Sequence, residues 1–225
     1  MDLFRAQTDN PFSGPHQNGT VEQAGAKSDD AEAAMILVHG RGATAAGMMG
    51  LAREFDMPTF RYLAPQASGH TWYPNSFLED KEKNQPGLDS GLQALHDLFN
   101  KLAGEGIPAE KTVLLGFSQG ACLATEYAAR HPRRFGGVVG YSGGLIGPSV
   151  DASAYSGDLE GTPVFLGCSD RDPHIPQERV ETTAQVLEGL GGEVTKKIYP
   201  NMPHTVNEDE LNRTRDLMTR LTTKK

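Results

Sequence analysis

The sequence predicts an α/β protein built on a mostly parallel sheet with helices on both faces. Two observations predict it. From Ala33 onward, short β-favouring apolar runs alternate with longer segments of helical period. Runs that are apolar throughout belong to strands buried on both sides, the signature of a parallel sheet between helical layers. In addition, the residue types that carry chemistry fall just after those runs, at the carboxyl ends of strands where such sheets bind ligands.

Taken in order, AMILV (34–38) is the first core strand, followed by the glycine-rich HGRGATAAG and a helical segment near 45–55. TFRYLA (59–64) is the next strand. LDSGLQALHDLFNKLA (88–103) sets Leu88, Leu92, Leu95, Leu98, Phe99 and Leu102 on one face, a period near 3.6. TVLLG (112–116) is a strand, and ACLATEYAARHP a helix ended by Pro132. GGVVGYS (136–142) and PVFLGCS (163–169) are strands. PQERVETTAQVLEGLGG opens on proline and closes on Gly-Gly, as helices do. EVTKKIYP is the last strand and NEDELNRTRDLMTRL the last helix. Residues 1–32 are polar and read as an arm or an edge strand around Thr20–Gln23; residues 33–225 read as a single catalytic domain.

Length and composition narrow the function. The 225 residues suit one domain with a substantial core. A net charge of −8 and a pI of about 5.4 oppose nucleic-acid binding. The only basic cluster, Lys224 and Lys225, reads as a solvated tail. No apolar run approaches the roughly 20 residues that span a bilayer, and the first residues lack the cationic start and apolar stretch of a secretory signal. Cys122 and Cys168 lie in apolar surroundings and read as small hydrophobes, in keeping with a cytoplasmic location.

Two stretches fit G-x-S-x-G, and context separates them. GFSQG (116–120) lies directly between the strand TVLL and a helix. A tight strand-to-helix turn there forces Ser118 into a strained conformation and lifts its hydroxyl off the sheet edge. GYSGG (140–144) also follows a strand, but GLIGPSV after it does not start a helix, so Ser142 reads as a turn residue beside the site.

A serine hydroxyl needs a base, and the base needs an orienting group. The expected chain order is serine, acid, histidine, each on a loop after a strand. GCSDRDPHIP offers Asp170 and Asp172, and MPHTV offers His204. Pro173 pushes Asp172 toward an extended backbone and favours it, with Asp170 as the alternative. His204 alone lies between the last strand and the last helix; His174, in the acid's own loop, is the runner-up base. His16, His39, His70, His96 and His131 read as structural or exposed. The oxyanion hole needs two N–H donors. Gln119, after the serine, supplies one, and Arg41 in HGRGA supplies the other. HGRGA matches neither phosphate-binding glycine pattern.

HGRGA, APQ (64–66), WYP (72–74), GFSQGA, SDRDPHIP and the late PH together resemble the phospholipase/carboxylesterase family, which includes bacterial carboxylesterases and acyl-protein thioesterases. The resemblance covers roughly residues 33 to 221. It implies the α/β-hydrolase fold, a Ser118–Asp172–His204 triad, the Arg41 and Gln119 amides as oxyanion donors, and neither metal nor organic cofactor. HGRGA replaces the HGLGD of many thioesterases, and the loop after Trp72 differs, so acyl preference departs before chemistry does. Serine at 118 argues against the cysteine-dependent dienelactone hydrolases.

About 20 residues separate the strands GGVVGYS and PVFLGCS, too few for a helical cap. Trp72, Tyr73, Phe77, Leu145 and Ile146 fall on the carboxyl side of the sheet, where they line an acyl groove or simply pack. The expected substrates are soluble, uncharged esters of short or medium chain, with a thioester or lysophospholipid as the alternative. A third reading is a non-catalytic small-molecule binder, disfavoured because all three triad positions are filled. An apolar patch beside the open site leaves a homodimer open.

Overall fold

In the computed structural model, which describes residues 14–222, seven strands form one sheet in the order β1-β3-β2-β4-β5-β6-β7. The strands are β1 (Val21–Gly25), β2 (Ala33–Val38), β3 (Phe60–Pro65), β4 (Thr112–Phe117), β5 (Gly137–Tyr141), β6 (Pro163–Ser169) and β7 (Glu193–Tyr199). The helices are α1 (Ala45–Phe55), α2 (Gly87–Gly104), α3 (Gln119–Arg130), α4 (Gln177–Gly189) and α5 (Glu208–Thr222). All pairings are parallel except β1 on β3, where Val21 faces Pro65 and Gly25 faces Arg61. β1 is thus an edge strand of the sheet. Residues 1–13 of the expected arm, and the terminal Lys224 and Lys225, lie outside the described residues.

Every residue of β2 is buried, and its two-residue alternation feeds both cores. Ala34, Ile36 and Val38 join the apolar cluster that α2, α3 and α4 cover. Ala33, Met35 and Leu37 join the smaller cluster under α1 and α5. Two expectations need correction. The strands are not apolar throughout: β7 is largely exposed and polar, because an edge strand has a neighbour on one side only. Pro176 is the N-cap of α4, in extended backbone, and not its first helical residue.

Between β5 and β6 the chain holds only a one-turn helix at Ala152–Ala154, so no cap covers the carboxyl end of the sheet. Among the described residues, no helix is long and apolar enough to cross a membrane.

The chain packs tightly where β4 turns into α3. A Cβ at Gly120 would sit 2.1 Å from the Val38 carbonyl oxygen, and one at Gly116 would sit 2.2 Å from the Gly120 carbonyl oxygen. Both obstacles are backbone, which cannot rotate away. Gly120→Ala is therefore expected to lower stability by about 3 kcal/mol or more in urea unfolding. Gly50→Ala, in the exposed middle of α1 with open space around its Cβ, is expected to gain about 0.5–1 kcal/mol. Equal effects at both positions would contradict this reading of the packing.

Candidate active site

Ser118 sits between β4 and α3 with φ 55° and ψ −121°, a conformation that a side chain adopts only under constraint. Its N–H donates to the Tyr141 carbonyl at 2.9 Å and its carbonyl accepts the Cys122 N–H at 3.0 Å, so the turn is pinned to β5 and to the first turn of α3. Ser118 is half-buried. Ser142 also has positive φ, at 50°, but is fully buried and bonds through its N–H to Gly167. The first serine is open to solvent and the second is not.

His204, in the loop between β7 and α5, lies with Nε2 2.9 Å from Ser118 Oγ and Nδ1 2.7 Å from Asp172 Oδ2. The Asp172 side chain is wholly buried. Its other oxygen accepts the N–H groups of His174 at 2.9 Å and Ile175 at 3.0 Å. Burial pushes this carboxyl up, but the bond from His204 and the two amides outweigh it and hold the group below its usual range. A carboxylate acceptor at Nδ1 requires the proton there, which leaves Nε2 free to take one from Ser118. Asp170 is exposed and accepts the Asn201 N–H at 2.8 Å, anchoring the histidine's loop instead.

His174 does not reach the serine in a hydrogen bond; its ring packs edge-on to His204 with centroids 5.0 Å apart. Phe117 lies against the same imidazole, also at 5.0 Å. No signal in the sequence marked Phe117 for this contact. His39 is buried, and its Nε2 accepts the Ala67 N–H at 3.1 Å, so its Nδ1 carries the proton and donates to the Gly40 carbonyl at 2.7 Å. Burial lowers its pKa and keeps it neutral. His16, also buried, bridges Ser68 and the Trp72 carbonyl.

Gln119 is the first residue of α3, where helix N–H groups lack an intrahelical partner. In HGRGA, Gly42 donates to the His70 carbonyl and Ala43 to that of Gly40, whereas the Arg41 amide makes no bond among the described residues. A Cβ on Gly40 would lie 3.3 Å from the Ser118 Cβ, so this loop and the serine turn are in direct contact.

The Gln119 side chain does more than sequence reasoning gave it. Its Oε1 accepts the Trp72 N–H at 2.9 Å and its Nε2 donates to the Tyr73 carbonyl at 2.8 Å. The Arg41 guanidinium donates to the carbonyls of Pro74 at 2.8 Å and Asn75 at 2.5 Å. Both sides of the site thereby grip the loop after β3.

The expected acyl-groove residues are not on an open wall. Trp72, Tyr73, Phe77, Leu145 and Ile146 are all buried members of the apolar core. Their apolar character came from packing. The segment carrying Leu145 and Ile146 is clamped from beneath: Arg179 donates to the carbonyls of Leu145 and Gly147, both at 2.7 Å, and Glu126 accepts the Ile146 N–H at 2.9 Å. Glu126 is itself fully buried, and burial would raise its pKa, but Arg130 and Lys81 beside it hold it low.

The phospholipase/carboxylesterase family profile matches residues 20–221. The chain belongs to that family. Its members are serine hydrolases of the α/β-hydrolase fold, and this chain is one of them. A phospholipase/carboxylesterase structure from Dyadobacter fermentans is 36% identical and superposes with a TM-score of 0.87 over 93% of this chain and 100% of its own. "Acyl-protein thioesterase 1" of Debaryomyces hansenii is 28% identical over 209 residues, 83% of this chain and 90% of the relative. The protein of the same name from Gibberella zeae is 30% identical over 133 residues, 58% of this chain. That match spans only 57% of the Gibberella protein's length.

Asp172→Asn keeps the shape of the acid and loses the charge that fixes the imidazole tautomer. It is expected to lower kcat for p-nitrophenyl acetate by about 10⁴-fold with a much smaller change in KM. Asp170→Asn is expected to cost less than about tenfold, through the Asn201 bond alone. Steady-state kinetics of the two variants check the assignment, and a larger loss at 170 would reverse it.

Proposed function

We propose that this hydrolase cleaves soluble carboxylic esters of short or medium acyl chain through an acyl-enzyme on Ser118. The observation that carries the proposal is the unbroken run of short contacts from Ser118 Oγ through His204 to the buried Asp172 carboxylate. Ser118 Oγ forms a bond to the ester carbonyl carbon while its proton passes to His204 Nε2. The resulting oxyanion is held by the amides of Arg41 and Gln119. His204 then returns the proton to the leaving alcohol oxygen as the C–O bond breaks. Water, deprotonated by the same histidine, attacks the acyl-enzyme and releases the acid and the serine.

Short and medium chains are favoured by the closed packing of the five apolar side chains around the loop after β3 and the turn after β5. The absence of a cap between β5 and β6 leaves the site open to small soluble esters. A second reading, an acyl thioesterase with the same triad, is favoured by the names of the fungal relatives. The two buried, unpaired thiols support a cytoplasmic location.

Hydrolysis of p-nitrophenyl esters from acetate to palmitate, beside the matching thioesters, tests the proposal. Ser118→Ala is expected to reduce kcat by about 10⁴-fold or more. The wild type is expected to favour acetate to octanoate over palmitate, and oxygen esters over thioesters. A palmitate maximum would overturn the chain-length assignment, and a thioester preference would establish the second reading. An unaffected Ser118→Ala would reopen the choice of nucleophile.

A further inference from the structure

One buried carboxyl takes no part in the chemistry above. Glu210, in the first turn of α5, is wholly inaccessible to solvent. It closes a reciprocal cap at the helix start: the Asn207 N–H donates to Glu210 Oε2 at 2.9 Å, and the Glu210 N–H donates to Asn207 Oδ1 at 3.0 Å. Asn207 is the last residue before α5, three positions after His204. Its side-chain amide also reaches back to Met202 Sδ at 2.8 Å, so the loop that carries His204 ends in this cap.

Most glutamates in such caps are exposed. This one is pressed against β6, where a Cβ on Gly167 would lie 2.2 Å from its Oε1, and Oε1 has no hydrogen-bond partner among the described residues. No cation compensates it among the described residues. The titratable groups that interact with it are Tyr141 on β5, Cys168 on β6, Tyr199 on β7 and Asp209 on its own helix, none of them cationic; Arg213 and Arg215 of α5 act on Tyr199 and Tyr141 but direct their guanidinium groups to Asp209 and to the Glu54 carbonyl. An unpaired carboxylate in such a place is expensive, whereas a neutral carboxyl is tolerated.

We infer that Glu210 is a positioning residue for His204, holding its loop in register only while its carboxyl is neutral. Ionisation places an unsolvated charge against the sheet. Relief requires the side chain to leave its slot, which gives up the Asn207 N–H bond and frees the loop that aims His204 Nε2 at Ser118. Burial, aided by neighbouring Asp209, outweighs the Asn207 bond and pushes this group up to about 7, within the range where an esterase works. The sign follows. A carboxyl raised in the folded state contributes stability below its unfolded value of 4.5, and that contribution is lost as pH rises through about 7.

The inference rests on the triad reading, and the test separates the two. The kcat of wild type, Glu210→Gln and Glu210→Ala for p-nitrophenyl acetate is measured from about pH 6 to about pH 9, with the p-nitrophenol burst recorded in each. Wild-type kcat is expected to fall at least about threefold between neutrality and the alkaline end, with little change in KM. Glu210→Gln, which keeps the Asn207 acceptor and cannot ionise, is expected to lose that fall. Glu210→Ala is expected to have low kcat at every pH because the cap is gone. A burst in Glu210→Gln together with an unchanged alkaline fall would sink the inference while leaving the acyl-enzyme route standing. Wild-type kcat that survives Ser118→Ala would instead overturn the triad reading. Should the alanine variant fail to fold, urea unfolding of wild type and Glu210→Gln still decides. The wild type must lose stability relative to the glutamine variant as pH rises from about 5 to about 8, and parallel curves would contradict the inference.

Discussion

The site depends on one packing constraint: β2, β4 and α3 come together so closely at Gly116 and Gly120 that no side chain fits between them. That contact bends the chain sharply at Ser118 and holds it at positive φ, a conformation that costs on the order of 1–3 kcal/mol and persists only where its surroundings over-determine it. The surroundings here are apolar strands buried on both faces, with the Tyr141 carbonyl closing the turn from β5. Strain, core and the Ser118 hydroxyl are therefore one arrangement. Relaxing the turn would require separating the first core strand from the helix behind the serine.

A polar layer just above that contact holds the loops. His39 is kept neutral by burial, so its ring can accept from Ala67 and donate to Gly40 at once, fixing the HGRGA loop beside Ser118. The side chains of Gln119 and Arg41 bind backbone of the loop after β3 from two sides. Each of these residues spends its side chain on backbone carbonyls and amides. The backbone of Gln119 and Arg41, the proposed oxyanion donors, is thereby held in place. Such preorganisation is what makes hydrogen-bond donors effective in a dry site.

The buried strands and the residues that meet around Ser118 were legible in the sequence because they followed from periodicity and order. Continuous apolar runs gave the buried strands, and the strand–turn–helix context separated Ser118 from Ser142. Position after the last strand singled out His204 from six other histidines. What the sequence could not give were contacts between distant segments. Trp72, Tyr73, Phe77, Leu145 and Ile146 carry the same apolar signature whether they line a groove or fill a core, and the difference is made by Arg179 and Glu126 on helices α4 and α3. Glu210 reads as an ordinary charged residue of the last helix, and its burial appears only once β6 presents Gly167 beneath it. The polar character of β7 follows from its place at the sheet edge, which chain order alone does not reveal.

On this reading the packing constraint makes Ser118 the one activated serine of the two in G-x-S-x-G turns. Labelling the native protein with a fluorophosphonate, then locating the adduct by peptide mass spectrometry, tests it without assuming any substrate. One equivalent of adduct is expected on the peptide containing Ser118, none on that containing Ser142, and labelling is expected to be lost when His204 is replaced. An adduct at Ser142, or labelling of Ser118 that survives the loss of His204, would contradict it.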